Sequence, residues 1–301
     1  MELRHLRYFL AVAEELNFTR AAQRLCISQP PLTQQVKALE AELGFALFDR
    51  SNYRIELTDA GRAFAAEVSR ILGDVRAAVQ VAQRAAAGAI GVVRVGLTGS
   101  ASFHPAVAAS LWQFRREYPQ VQLTLQENPS LTLVAALRDG SIDAAFVRPP
   151  LRKSAAIAFH ALEDEPLVVA LPRNHEFAQR SSIELRELAS QTFILYPRAV
   201  RPGLADAIVA GCEQAGFTPQ VGQYAPQLSS TINLIAASLG VSIVPQSMSG
   251  MQPQLVSYVP IRDDPLKASL GLAHRTGEKS RPVLNYIGIA SQRWARGVAE
   301  H

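Results

Sequence analysis

Residues 58–87 contain no proline, and within them Phe64, Val68, Ile71, Val75, Ala78, Ala82 and Ala85 recur at alternating spacings of four and three. A repeat averaging 3.5 residues keeps such positions on one narrow stripe of an α-helix. With Thr58 and Asp59 to cap it, the pattern predicts one long helix running to Ala87. This helix divides the chain into a short front part and a much longer rear part. A helix packed on its own domain would satisfy the stripe, but the stripe's narrowness favours pairing with a second helix and hence self-association as a dimer. The seam shrinks from Phe64 to Ala85, so paired helices would come closest at its C-terminal end. Ala87-Gly88-Ala89-Ile90-Gly91 follows, small residues that read as a hinge over 88–91.

In the front part, Leu6, Phe9, Leu10, Ala13 and Leu16 lie on one face of a first helix. Asn17-Phe18-Thr19 starts a short second helix with Ala21, Ala22 and Leu25 inward. After a Cys26-Ile27-Ser28 turn, Ser28 can cap a third helix opening Gln29-Pro30-Pro31, where missing proline N–H groups cost little. Leu32, Val36, Leu39 and Leu43 face inward from it. Pro30, Gln34 and Lys37 point the other way, with Gln29 and Thr33 flanking the first turn. Glutamine can bond adenine, threonine can meet a thymine methyl, and lysine can meet guanine or phosphate, as on a helix in the DNA major groove. Taken alone, the spacing fits an ordinary three-helix bundle equally well.

Gly44 ends the third helix, and Phe48-Asp49-Arg50 and Arg54-Ile55-Glu56-Leu57 read as two strands around a Ser51-Asn52-Tyr53 turn. Such a hairpin sets Arg50 and Arg54 near its tip, placed for phosphates or a minor groove. Residues 1–58 hold seven Lys/Arg and seven Asp/Glu, so any DNA contact depends on where the charges sit.

No apolar run approaches the roughly 18 residues of a membrane span, and the first residues lack the pattern of a secretory signal. The cytoplasm is therefore the expected compartment. Cys26 and Cys212 are far apart, which argues against a disulfide framework or a zinc site, and each is expected to be a buried, inert thiol. Scattered histidines and missing nucleophile-elbow, metalloprotease, P-loop and dinucleotide-binding signatures argue against an enzyme and predict no cofactor and no metal.

Five blocks within the front part are similar to the LysR-type transcriptional regulators: Leu6-Arg7-Tyr8-Phe9, Phe18-Thr19-Arg20-Ala21-Ala22, Ser28-Gln29-Pro30-Pro31-Leu32-Thr33, Leu39-Glu40-Ala41-Glu42-Leu43-Gly44, and Leu47-Phe48-Asp49-Arg50 through Leu57-Thr58-Asp59-Ala60-Gly61. The resemblance implies a winged helix-turn-helix over 1–58, a linker and dimerisation helix over 59–87, and an effector-binding domain over 92–301. Double-stranded promoter DNA carrying an inverted repeat would be its partner, bound by a dimer that assembles into a tetramer, with RNA polymerase open as a further partner. Gln29, Thr33, Gln34 and Arg54 are candidates for base readout, and Lys37 and Arg50 for holding the backbone. Many family members carry arginine where Gln34 stands.

From Val92 the pattern alternates strands (92–97, 121–125, 142–147, 166–171, 192–196, 220–224, 241–244) with helices (105–118, 131–138, 204–214, 228–239), implying parallel α/β layering. By resemblance this is a two-lobed domain like periplasmic binding proteins, lobe one being 92–162 and 267–301 and lobe two 163–266. Ligands of open α/β domains sit at strand C-terminal ends near helix N-termini. Thr98 and Ser100 follow the first strand, Ser130 starts a helix, Arg148 ends the strand holding Phe146, and Pro202-Gly203 precedes another helix. These groups suit a small carboxylate effector. Capping is an equal reading for Thr98, Ser100 and Ser130, as is a structural ion pair for Arg148. The acidic triplet Glu163-Asp164-Glu165 reads as a solvated loop.

The stretch Leu195-Tyr196-Pro197-Arg198 through Arg201-Pro202-Gly203-Leu204 resembles the subgroup controlling benzoate, catechol and chlorocatechol breakdown. In that subgroup the residues matching Ser100, Ser130, Arg148, Pro202 and Leu204 line the effector cleft, and the effectors are aromatic-pathway acids such as muconates. Leu204 stands where some relatives place an aromatic ring.

Overall fold

The computed structural model describes residues 1–50, 54–151, 154–162, 164–198, 202–262 and 266–296, with backbone alone at 202 and 292–296. The turn expected at Ser51-Asn52-Tyr53, Glu163 of the acidic triplet and Arg201 lie outside the described residues. Two compact units are distinguished, Met1–Arg84 and Ala85–His301.

The first unit consists of α1 (Leu3–Glu15), α2 (Phe18–Arg24), α3 (Gln29–Leu43), the short antiparallel strands β1 (Phe48–Asp49) and β2 (Glu56–Leu57), and α4 (Asp59–Ala86). Asn17 Oδ1 accepts the Thr19 and Arg20 N–H groups at 2.9 and 3.0 Å and so starts α2. Ser28 occupies the cap position of α3 without a side-chain cap bond, and Gly44 closes that helix at φ 80°. Leu32, Val36 and Leu39 are fully buried beside Phe9, Val12 and Ala21, each large side chain contributing about 1.5–3 kcal/mol. Leu16, expected inward, is instead the exposed C-cap of α1 at φ 46°, because the left-handed turn swings it off the inner face.

Helix α4 starts where Thr58 Oγ1 accepts the Gly61 N–H at 2.9 Å. A Cβ on Gly61 would lie 2.1 Å from the Leu47 carbonyl oxygen, so only glycine lets the helix pass this close to the wing backbone. The expected continuous seam is divided. Phe64, Val68 and Leu72 pack into the core of their own unit, whereas Ile71, Ala78, Val79, Ala82 and Ala85 are exposed.

The second unit contains, in chain order, β3 (Gly91–Leu97), α5 (Pro105–Glu117), β4 (Val121–Glu127), α6 (Ser130–Asp139), β5 (Ala144–Val147), β6 (Ile157–Ala161), β7 (Glu165–Pro172), β8 (Thr192–Leu195), α7 (Pro202–Gln214), β9 (Gln220–Tyr224), α8 (Leu228–Ala236), β10 (Ser242–Pro245), β11 (Val256–Pro260), β12 (Lys267–Ala268), β13 (Gly271–Arg275) and α9 (Arg281–Arg296). One sheet has the order β4-β3-β5-β13-β6, with Val93, Val95, Phe114, Phe146 and Tyr286 in a core on one face and Leu133, Leu137, Ile142 and Val147 on the other. A second lobe is built on β10-β7-β11 and the parallel pair β8-β9, joined by a Phe193–Val241 bridge.

Purely parallel layering does not hold. β7 pairs antiparallel with β10 and β11, and β13 pairs antiparallel with β5 and β6. The returning chain re-enters the first lobe between two strands already laid down, which reverses its direction relative to both. Outgoing and returning segments lie side by side, Glu165 opposite Ala268 and Pro166 opposite Lys267. The expected hinge at 88–91 is docked on α9: Asn285 Nδ2 donates to the Ala87 carbonyl at 3.1 Å, and a Cβ on Gly88 would meet Arg281 backbone at 2.7 Å.

Candidate functional site

In the first unit the first two turns of α3 present an exposed polar face. Gln29, Pro30, Gln34 and Lys37 are exposed and Thr33 is half-buried. The Thr33 hydroxyl donates to the Gln29 carbonyl at 3.1 Å, which satisfies it within the helix. Thr19 Oγ1 donates to Gln29 Oε1 at 3.4 Å and so ties that amide to α2.

The zero charge balance resolves once pairs are located. Arg20 pairs with Glu15 at 2.6 Å, and Arg24 with Glu14 at 2.5 Å and with Glu15 at 3.5 Å, so the α2 arginines are neutralised against α1. Arg50 also turns inward: it pairs with Glu40 at 3.0 Å, and its guanidinium lies 5.4 Å from the Phe18 ring centroid. Among the described residues, the exposed Lys37 and Arg54 have no carboxylate within ion-pair distance. Their charge is therefore available to an anionic partner.

Glu40 went unnoticed in the sequence pattern. Its Oε1 accepts the Leu47 and Phe48 N–H groups at 2.9 and 3.1 Å while Oε2 takes Arg50. One carboxylate on α3 thus fixes where the wing begins, and the only local signal was an acid on the flank of an amphipathic helix.

In the second unit, several expected cleft residues converge. Arg148 Nε donates to Ser100 Oγ at 2.7 Å, and the Arg148 backbone N–H donates to Ser130 Oγ at 3.1 Å. Thr98 is buried beside them, its N–H donating to the Phe146 carbonyl at 3.0 Å. The guanidinium also donates to the Ala268 and Ser269 carbonyls at 3.0 and 3.2 Å and to Glu165 Oε2 at 2.8 Å. Arg148 is 8% and Glu165 6% exposed.

The solvated-loop reading of the acidic triplet is therefore corrected at Glu165, which pairing draws inward. Asp164 Oδ1 accepts the Ser269 hydroxyl at 2.6 Å. Glu165 Oε1 also accepts the Ser247 N–H at 2.8 Å, joining both lobes through one carboxylate. Ser247 Oγ is buried with no hydrogen-bond partner among the described residues. His104, at the start of α5, faces the same pair: burial lowers its imidazole, Glu165 opposes that, and Arg148 adds to it.

α7 approaches this cluster closely enough that a Cβ on Gly203 would lie 1.9 Å from the Pro149 carbonyl oxygen. Pro202 is the first residue of that helix. Leu204 is 3% exposed and belongs to the core of the second lobe together with Ile208 and Cys212.

These features define a class of protein, a helix-turn-helix with a wing followed by a two-lobed α/β domain with a polar cluster at the crossover. Residues 3–62 match the bacterial regulatory helix-turn-helix protein, lysR family, and residues 86–294 match the LysR substrate binding domain. The chain belongs to the LysR family of transcriptional regulators. It is 39% identical to the HTH-type transcriptional regulator BudR of Raoultella terrigena, over 95% of this chain and 99% of that protein. It is 36% identical to the HTH-type transcriptional regulator CatR of Pseudomonas putida, over 97% and 99%. Full-length CbnR complexed with its target DNA superposes with a TM-score of 0.84 at 28% identity, over 98% of this chain and all of that one. The chain is a DNA-binding transcriptional regulator with an effector-binding domain, not an enzyme. Among the described residues, no helix is long and apolar enough to cross a membrane.

Proposed function

We propose that the chain regulates transcription in the cytoplasm by binding an inverted repeat as a dimer that assembles into a tetramer, and that a small organic acid held between the lobes alters this binding. The observation that carries the reading is the buried Arg148–Glu165 pair, because it spans the two lobes and places a guanidinium beside Ser100, with the Arg148 backbone N–H on Ser130. A ligand carboxylate arriving there takes the position of Glu165 Oε2 on Arg148, and the released Glu165 loosens the contact with Ser247. Thr98 and the N-terminus of α7 at Pro202 flank this position. Leu204 supports the site from behind by packing.

The exposed apolar stretch of α4 from Ile71 to Ala85 supports self-association through that helix. Gln29, Pro30, Thr33 and Gln34 are assigned to the major groove, Lys37 and Arg54 to phosphate or groove contact, and Arg50 to holding the wing. RNA polymerase is the further partner that a promoter-bound regulator would meet.

The effector is assigned to the carboxylates, with muconates and benzoates as the first class to test. Identities of 39% to BudR and 36% to CatR are too close to select a subgroup, so aliphatic acids belong in the same panel. Calorimetry with the panel, paired with footprints at several salt concentrations with and without the tightest ligand, tests the reading. A ligand-dependent change in the protected length is expected. A footprint unchanged by every tight ligand overturns the switch, and no protected site near its own or neighbouring operons overturns the regulatory assignment.

A further inference from the structure

Outside the cluster at the crossover, two imidazoles meet on the first lobe. His160 lies on the edge strand β6 and His274 on its neighbour β13, where Leu272 is the direct partner of His160. His274 is thus the diagonal neighbour two positions further along, on the same face. The two Nε2 atoms are 3.0 Å apart, the ring centroids 5.2 Å apart and the ring planes within 13°. The difference between the two distances is taken up by the rings themselves, so the nitrogens face one another.

The tautomer of one ring is set by its surroundings. His274 Nδ1 lies 2.8 Å from the Arg275 carbonyl, which can only accept, so Nδ1 carries the proton and Nε2 presents its lone pair. A backbone carbonyl in that role is the usual outer partner of a metal-ligating histidine. His160 is exposed and can supply the second nitrogen once its own proton moves to Nδ1. The pair at present shares one hydrogen; a cation replaces it, and His160 changes tautomer without net proton release.

We propose that His160 and His274 form a chelating site for a borderline transition-metal ion such as Cu(II), Ni(II) or Zn(II), with water in the remaining positions. Zn–N bonds of about 2.0–2.1 Å at a tetrahedral angle set two imidazole nitrogens about 3.3 Å apart, a small opening of the observed pair that rotation of exposed His160 supplies. The adjacent Arg275 does not repel a cation strongly, because it is paired with Asp143 at 3.0 Å and Glu278 at 2.7 Å. Among the described residues, no group of three or more metal-ligating side chains gathers, so the affinity expected is that of two imidazoles. Bound metal would fasten β6, which leads out to the second lobe, to β13, which leads back from it.

The test is calorimetry of the full chain after chelator treatment, with Cu(II), Ni(II), Zn(II) and Mg(II). One ion per chain is expected at micromolar dissociation constants, Cu(II) tightest and Mg(II) without binding. His160→Ala and His274→Ala should each weaken binding at least tenfold, and His175→Ala should leave it unchanged. The metal-induced rise in Tm should vanish in the same two variants. Because His160 is exposed on an edge strand, His160→Ala keeps the test valid even where His274→Ala fails to fold. Unchanged binding in His160→Ala, or no binding at millimolar metal, overturns the site and leaves the promoter-binding assignment untouched.

Discussion

Cys212 lies in the core of the second lobe, where burial, with the Glu213 charge adding to it, pushes its thiol up to about 12. Cys26 is exposed, contrary to the expectation of two buried thiols, because it takes φ 56° in the turn between α2 and α3 and is turned away from the core. Ellman's reagent at pH 8 should therefore titrate one thiol per native chain and two after denaturation, and Cys26→Ser should abolish the native reaction; rapid native reaction of that variant would refute the burial of Cys212. At the same scale, Gln34→Ala should lose about 1–3 kcal/mol on a specific site and little on random DNA. Equal losses on both, measured by competition binding, would give Gln34 a positional role. Exposure at Gln34 followed from helical period alone, since a surface position needs no knowledge of the rest of the fold. The depth of Leu204 did not: it belongs to a core shared with Ile208 and Cys212, and a local pattern cannot say how deeply a leucine at a helix start is buried.

At the scale of elements, the wing depends on contacts supplied by the two helices that bracket it. Glu40 on α3 holds the Leu47 and Phe48 N–H groups together with Arg50, so Glu40→Ala strands two donors and a guanidinium at once. A loss of roughly 1–3 kcal/mol is expected in urea unfolding, larger than that of Arg50→Ala, which leaves the backbone acceptor in place. Equal losses would show that the ion pair, not the backbone anchoring, carries the effect. Gly61→Ala should be at least as damaging, since the added methyl meets the Leu47 carbonyl at 2.1 Å. The helices of the first unit, α5 to α8 and the first-lobe parallel strands were legible because their period is local, whereas α9 was not read from the sequence. β6, β11 and β13 were not: Gly271-Leu272-Ala273-His274-Arg275 has no β-branched residue, and pairing with neighbours on both sides makes it a strand. The seam of α4 showed the reverse error, a single period covering two different partners, the wing core for Phe64 and Val68 and an open face beyond Ile71.

For the whole molecule, a ligand proposed to bind between the lobes must contend with the partner that Arg148 already has. Replacing Arg148 alone leaves Glu165 buried and unpaired, a change that typically costs about 3–5 kcal/mol, so loss of response in Arg148→Ala would mix instability with lost recognition. The double variant Arg148→Met with Glu165→Gln separates them. Without an orphaned charge its Tm should recover most of what either single change loses, because the desolvation of both ions is removed together. If Arg148 receives the effector carboxylate, this stable variant still fails to bind the acid in calorimetry and its footprint is insensitive to ligand, while DNA affinity without ligand stays near that of the unaltered chain. Glu165→Gln alone should then bind the acid more tightly, since the internal competitor for the guanidinium has lost its charge. Full ligand response in the double variant would make Arg148–Glu165 a structural tie between lobes and would move the carboxylate site elsewhere in the domain.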